Sequence, residues 1–417
     1  MTSMNEIKHG DSLEVLEQLE PNSVHAVITD PPYGLAFMGR DWDDFEPKEY
    51  QEWCTEWAEK AKQVLKPGGH LLAFSGNRTH HRLFTGVEDA GFEIRDTLTW
   101  HYGSGFPKAA DVSKTIDKRA DAKREVVGEK QYAGGHVQRS DAPRFNGRTH
   151  NNGEEYQESK KRPETAPATD AAKKRDGWKT GLKPATEYVV MARKPFDGAT
   201  VDCVLEHGTG ALNIGETRIG TDERTNEPPG DNDVYAQAKG GHGNVEGRYP
   251  ANVVFDETEA ERLDSKIGEL SGGARTPQSQ TGRNTSDAPT QNDPEERIQL
   301  ESGGPSRYFY TSKASRSERT HDGAIENDHP TVKPVDLMEW VVRLVTREGQ
   351  LVLDPFAGSG TTLKAAKALG REFVGIEQQP RYADLARARV GLTVEDPANV
   401  RDDADQRGLE AFGGGGR

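Results

Sequence analysis

The chain predicts an open, doubly wound, mostly parallel α/β sheet. Three observations carry that expectation. Short apolar runs alternate with stretches of helical spacing. One apolar run stops abruptly at Asp30-Pro31-Pro32-Tyr33. Another runs into a Gly-rich turn, Gly358-Ser359-Gly360, with an acid, Glu377, closing the next strand.

Residues 6–9 form the first strand candidate, followed by the turn Gly10-Asp11-Ser12. Asp11 with Glu14 resembles a capping box, and Leu13, Leu16 and Leu19 keep helical spacing. After Pro21-Asn22, the residues Val24, Ala26, Val27 and Ile28 read as a buried strand. Two consecutive prolines must end it, because neither can donate to a ladder. The turn leaves an acid, rigid backbone carbonyls and an aromatic ring at the carboxyl end of a strand, where open α/β sheets bind ligands. Residues 50–65 read as an amphipathic helix with Trp53, Trp57, Ala61 and Val64 on one face, the tryptophans serving as core. A strand at 70–75, a helix at 79–90 and a strand at 92–100 follow. His80-His81 lacks a third ligand at a usual spacing and reads as a polar helix start.

From Gly103 to Lys183 the chain is basic and rich in Gly, Pro, Asn and Thr, which reads as a long, partly mobile insertion. A strand returns at 187–193 and is expected to pair antiparallel with residues 97–100, making the insertion an elaborated hairpin loop. Short strands are expected at 201–205, 251–255 and 307–310, with a disordered stretch at 271–304. Leu337, Trp340, Val341 and Leu344 share a face of a helix at 336–346. A strand at 350–353 leads into the Gly turn, a helix at 363–369, a strand at 372–376 and a helix at 381–390. The tail, with Gly413–Gly416, is expected to be mobile.

Among 417 residues the apolar share is 33%, which predicts long polar loops. Cys54 and Cys203 are the only cysteines, too few for a disulfide framework or a metal cluster, so a reducing, intracellular setting is expected. No run approaches the ~20 apolar residues of a membrane span, and the polar start lacks a signal-peptide pattern. The net charge of -15 argues against a nucleic-acid partner until its distribution is read. Residues 103–194 hold 20 Lys+Arg against 13 Asp+Glu, a balance of +7, which leaves -22 elsewhere. Affinity for phosphates follows the local field, so the basic middle is the candidate DNA-facing surface.

A strand, a Gly-rich turn, a helix and an acid after the next strand make the mononucleotide-binding half of a doubly wound fold. Glycines let backbone approach a ligand, and Glu377 can accept both ribose hydroxyls of an adenosine. The spelling G-S-G-T-T departs from G-x-G-x-x-G, and no Lys-Ser/Thr pair follows. A dinucleotide or nucleoside triphosphate is therefore disfavoured.

These residues carry a resemblance. Val352-Leu353-Asp354-Pro355-Phe356-Ala357-Gly358-Ser359-Gly360-Thr361-Thr362 resembles the S-adenosyl-L-methionine (AdoMet) motif of the DNA amino-methyltransferases, and Asp30-Pro31-Pro32-Tyr33 their catalytic motif. His329-Pro330-Thr331-Val332-Lys333-Pro334 resembles the segment that precedes the AdoMet motif. The order, catalytic motif first and AdoMet motif last, resembles the beta class. It implies a Rossmann-like methyltransferase sheet with permuted motifs. The expected organisation is a catalytic half at 1–105, the basic insertion at 106–183 and a returning strand at 184–195. A variable target-recognition region at 196–306, an AdoMet-binding half at 307–392 and a tail at 393–417 complete it.

The resemblance also implies roles. Asp30 and the Pro31 carbonyl would accept hydrogen bonds from an exocyclic amine, Pro32 would stiffen the turn, and Tyr33 would stack on a flipped base. Asp354, Phe356, Gly358 and Gly360 would line the methionine end of AdoMet, Glu377 its ribose and Asp11 its adenine, with Lys333 toward its carboxylate. No metal and no covalent intermediate are expected. Partners would be AdoMet and double-stranded DNA in the cytoplasm of a prokaryote or a virus-infected host, with a homodimer and a companion restriction enzyme left open. Asp rather than Ser at the first motif position favours adenine N6 over cytosine N4. More distant alternatives are an RNA or protein-glutamine amino-methyltransferase, a non-catalytic DNA-binding module and a nicotinamide dehydrogenase.

Overall fold

The computed structural model describes residues 4–35, 45–103, 109–130, 162–225, 244–270, 274–275, 298–299, 303–312, 332–396 and 399–400. Two compact units emerge: residues 1–102 with 187–417, and residues 103–186.

Val24–Thr29 is apolar at four of its six positions, as suits a central strand covered on both faces. Val24, Ala26, Val27 and Ile28 are all fully buried. In chain order the first unit begins with β1 (Glu6–His9), α1 (Ser12–Leu16), β2 (Val24–Thr29), α2 (Pro47–Val64), β3 (Leu65–Ser75), α3 (His80–Asp89) and β4 (Glu93–His101). The second unit holds α4 (Val112–Arg119), β5 (Val126–Lys130), β6 (Arg162–Thr165) and α5 (Asp170–Lys173). The first unit resumes with β7 (Thr186–Arg193), α6 (Thr200–His207), β8 (Ile219–Thr225), β9 (Asn244–Arg248), β10 (Val253–Asp256) and α7 (Glu257–Ile267). The two-residue strands β11 (Ala274–Arg275) and β12 (Ile298–Gln299) precede β13 (Tyr310–Ser312). Then come α8 (Val335–Val345), β14 (Leu351–Asp354), α9 (Thr361–Ala368), β15 (Glu372–Glu377) and α10 (Pro380–Arg389).

The main sheet has nine strands in the order β1-β15-β14-β2-β3-β7-β4-β10-β13. β2 pairs parallel with both β14 and β3, while β7 runs antiparallel to β3. Strand order therefore departs from β2 in both directions, the reversal at which open α/β sheets place ligands. One face buries Ile28, Leu72, Phe74 and Val352 with α8 and α9, and the other buries Val27, Leu71, Leu353 and Val374 with α2. The alternation of neighbouring residues between the two cores is the two-residue period of a strand. On the second face α2 lies close against α3: a Cβ at Gly86 would stand 2.7 Å from the Cβ of Cys54.

The second unit is smaller and polar at its centre. Asp117, 1% exposed, accepts from the Arg124 guanidinium at 2.6 Å, from the N–H groups of Ala168 and Thr169, and from the Thr169 hydroxyl. Burial opposes ionisation, yet these donors hold its carboxyl at about 2.

Several expectations need correction. Residues 201–205 are helical, not a strand: α6 buries Cys203 and ends at Gly208 in a left-handed cap, leaving Val201 and Leu205 exposed. Residues 307–310 are not one strand, since Pro305–Tyr308 forms a 3-10 turn and the strand starts at Tyr310. The insertion, expected to be an elaborated and partly mobile hairpin loop, folds as a compact unit at 109–130 and 162–186. The returning strand does neighbour β4, and its antiparallel partner on the other side is β3. The expected variable region contributes β10, which pairs parallel with β4. The disordered stretch expected at 271–304 and the tail beyond 400 lie largely or wholly outside the described residues.

Asp117→Ala should remove the acceptor that gathers four donors. The expected outcome is faster protease cleavage between residues 109 and 186, with the sheet of the first unit intact by circular dichroism.

Candidate functional site

Both motif turns lie at the carboxyl ends of adjacent strands. Ala26 and Val27 pair with Val352 and Leu353, so the ends of β2 and β14 emerge side by side. There the Thr29 hydroxyl donates to Asp354 Oδ1 at 2.6 Å, joining the two turns directly. Asp354 Oδ1 also accepts from the Phe356 N–H at 3.1 Å. Burial pushes the Asp354 carboxyl up to about 6, against the hydrogen bonds of Thr29, Thr362 and Phe356.

The Gly turn is shaped by packing as well as by ligand needs. Gly360 has φ +78°, and a Cβ there would stand 2.8 Å from the Cβ of Ala386 in α10, so only glycine fits. The Gly358 N–H donates to Glu377 Oε2 at 2.8 Å, and the Gln379 N–H donates to Oε1 at 2.8 Å. Burial raises the Glu377 carboxyl, with these backbone donors opposing it. A carboxylate has about four acceptor sites, so beside its backbone donors Glu377 keeps capacity for a ribose hydroxyl. Asp11 caps α1 by accepting from the Leu13 N–H at 2.9 Å. It sits near Glu377, because β1 pairs with β15 and the Gly10 N–H donates to the Glu377 carbonyl.

Helix α2 holds both turns. The Tyr50 hydroxyl donates to the Pro32 carbonyl at 2.9 Å. Trp53 and Trp57 pack on Phe356 with ring centroids 5.3 and 5.6 Å away. Phe356 thus lies against a buried aromatic layer.

At the catalytic-motif turn the structure gathers four side chains. Tyr33 donates its hydroxyl to Asp30 Oδ1 at 2.7 Å, with Glu187 Oε2 also in reach at 3.1 Å. Lys333 Nζ lies 2.5 Å from Asp30 Oδ2, 3.2 Å from Glu187 Oε2 and 3.2 Å from the Tyr33 hydroxyl. Burial works to lower the Lys333 ammonium, but Asp30 and Glu187 outweigh it and hold it above the usual lysine range. Burial, then Asp30 and Glu187, push the Tyr33 phenol well above its usual value. Lys333 is thus directed at Asp30, although a contact with the cofactor carboxylate was expected. Of the segment 329–334, residues 329–331 lie outside the described residues.

Glu187 escaped the sequence reading. It opens β7 beside an apolar run and has no motif around it; its only sequence signal is an acid next to residues bound for the core. Among the described residues, no group of three or more His, Cys, Asp and Glu side chains could hold a metal ion. Nor is any helix among them long and apolar enough to cross a membrane.

A family model described as DNA methylase, for N6 and N4 methyltransferases, matches residues 24–388. The chain belongs to this DNA methylase family. It is 24% identical over 425 residues to the type II methyltransferase M.HindIII of Haemophilus influenzae, a match covering 93% of this chain and 95% of that one. Among solved structures it is similar to the cytosine-N4-specific PvuII DNA methyltransferase, 16% identical, covering 95% and 89% of the two chains at a TM-score of 0.45. It is also similar to a DNA modification methylase of Thermus thermophilus complexed with S-adenosyl-L-methionine, 18% identical, covering 93% of each chain at a TM-score of 0.40. This methylase is a DNA methyltransferase of the N6/N4 type, and AdoMet is the methyl donor of its family.

Asp354→Asn removes a buried carboxyl whose ordinary value near 3.8 is raised to about 6. A raised carboxyl binds its proton more tightly when folded, so its contribution to stability is present below about pH 4 and lost as pH climbs through 6. Relative to the wild type, the variant should gain up to about 3 kcal/mol across that window, measured by urea unfolding at each pH.

Proposed function

We propose that this methylase transfers a methyl group from AdoMet to the N6 amine of a flipped adenine in double-stranded DNA. The observation that carries the reading is the Thr29–Asp354 hydrogen bond, which holds the two motif turns at one strand junction.

The residues at this junction fit AdoMet. Two carboxylates, the buried Asp354 and the half-buried Glu377, flank a Gly turn at the ends of β14 and β15. Glu377 would hold the ribose, Asp11 would stand near the adenine ring, and Asp354, Phe356, Gly358 and Gly360 would surround the methionine end. When bound, AdoMet supplies an electrophilic methyl carbon on a sulfonium.

An exocyclic amine is a weak nucleophile because its lone pair is delocalised into the ring. Asp30 and the Pro31 carbonyl accept its N–H hydrogens and favour pyramidal nitrogen, which frees the lone pair for in-line attack. Pro31 and Pro32 keep the turn rigid, and Tyr50 fixes the Pro32 carbonyl. Tyr33 presents a ring face to the base, with its hydroxyl tied to Asp30. Orientation and electrostatics supply the catalysis. The basic insertion supplies attraction to phosphates, and the cytoplasm is the setting of this reaction.

Asp30→Ala is expected to abolish methyl transfer to duplex DNA while retaining AdoMet binding; unaltered turnover would refute the role of Asp30. Long-read sequencing of DNA modified in a methylation-free host reads base and site together, and N4-methylcytosine there would replace the adenine reading.

Replacing residues 106–183 with a short linker should weaken DNA binding more than AdoMet binding, compared by titration at fixed salt. Equal loss of both would make the segment part of the core.

A further inference from the structure

Asp30 is the only acid of its motif, yet it does not act in an isolated field. Lys333, 8% exposed, brings a positive charge within 2.5 Å of the oxygen that is to face the amine. Its ammonium also lies over the rings of Tyr33 and Phe74, 5.5 and 5.1 Å from their centroids. Left alone, the Asp30–Lys333 pair would be neutral.

Methyl transfer moves positive charge toward the pair. The amine lone pair forms the N–C bond as the S–C bond breaks, and the sulfur keeps that bonding pair. The nitrogen is cationic until one of its protons leaves to Asp30 or to solvent. A neutral pair with its cation nearby would resist this arrival of charge. Glu187 supplies the missing anion, 3.2 Å from Lys333 and within reach of the same Tyr33 hydroxyl. With both carboxylates ionised and one ammonium, the cluster carries a single net negative charge.

We propose that Glu187 and Lys333 are positioning residues that fix this single negative charge, Glu187 offsetting Lys333 and Lys333 keeping the two carboxylates from sharing a proton. The proposal rests on Asp30 as the amine acceptor. Two carboxylates around one hydroxyl repel, and without a cation between them one of the two takes up a proton at higher pH. Burial foremost raises the Glu187 carboxyl, with Lys333 opposing it, so Glu187 is the group that depends on that cation. The other titratable groups around the cluster are Tyr33, Tyr102, whose phenol feels Glu187 and Lys333, and Asp354, whose carboxyl feels Asp30.

The test is a charge cycle in the full-length protein, with kcat and KM for duplex DNA measured across pH and AdoMet affinity by titration. Glu187→Gln makes the cluster neutral and should lower kcat by about ten-fold or more, with AdoMet affinity unchanged. Lys333→Met leaves two adjacent acids and should move the acid limb of the kcat profile to higher pH. The double variant restores one net negative charge and should recover most of kcat and the wild-type limb. Losses that multiply in the double variant, or an unmoved limb in Lys333→Met, would overturn the proposal. Where a single variant no longer binds AdoMet, Glu187→Asp decides: a retained limb supports the charge role, and a shifted one refutes it. An active Asp30→Ala protein would instead overturn the reading of Asp30 itself, so the two failures are distinguishable.

Discussion

Both motif turns of the first unit depend on the parallel pairing of β2 with β14. The two strands stand more than three hundred residues apart in sequence, yet Ala26 and Val27 lie opposite Val352 and Leu353. Because a strand register cannot slip by one residue without turning its buried side chains outward, that pairing fixes where both turns begin. Thr29 and Asp354 then close the junction by a buried hydrogen bond. The Asp30–Tyr33 turn and the Gly turn meet there without any loop having to reach.

Around this junction the protein builds support from opposite directions. From one face, α2 sends Tyr50 to the Pro32 carbonyl and Trp53 and Trp57 to Phe356, so a single helix stiffens both turns. From along the sheet, β7 brings Glu187 to Lys333 and Asp30. β7 is a neighbour of β4 although 84 residues, 103–186, form a separate unit between them. An insertion between adjacent strands costs the sheet little, because closure entropy grows only slowly with loop length.

Much of this was legible in the residues. The buried run ending in two prolines, the Gly turn with Glu377, and the one-sided helices around Trp57 and Trp340 have local signatures that tertiary contacts only reinforce. Other features were not. Val201, Val204 and Leu205 look like a strand, but the Gly208 cap and a single buried thiol at Cys203 decide for a helix. The inserted unit shows no apolar period because its centre is the Asp117 network, and polar networks leave no such period. Glu187 acquires meaning only from Lys333 and Asp30, the former 146 positions away with no local pattern to link them.

The position of β1 has a consequence for how the chain is made. Its partner is β15, Glu6 lying opposite Val374, so the first described strand pairs with the last described one. At roughly 5–20 residues per second the ribosome needs on the order of 20 to 70 s to bring the two together. Throughout that time β1 lacks its partner β15 and β2 its neighbour β14. Assembly of the β2–β14 junction is therefore a late, long-range event, and the nascent chain must keep its apolar strands from other partners until β14 and β15 emerge.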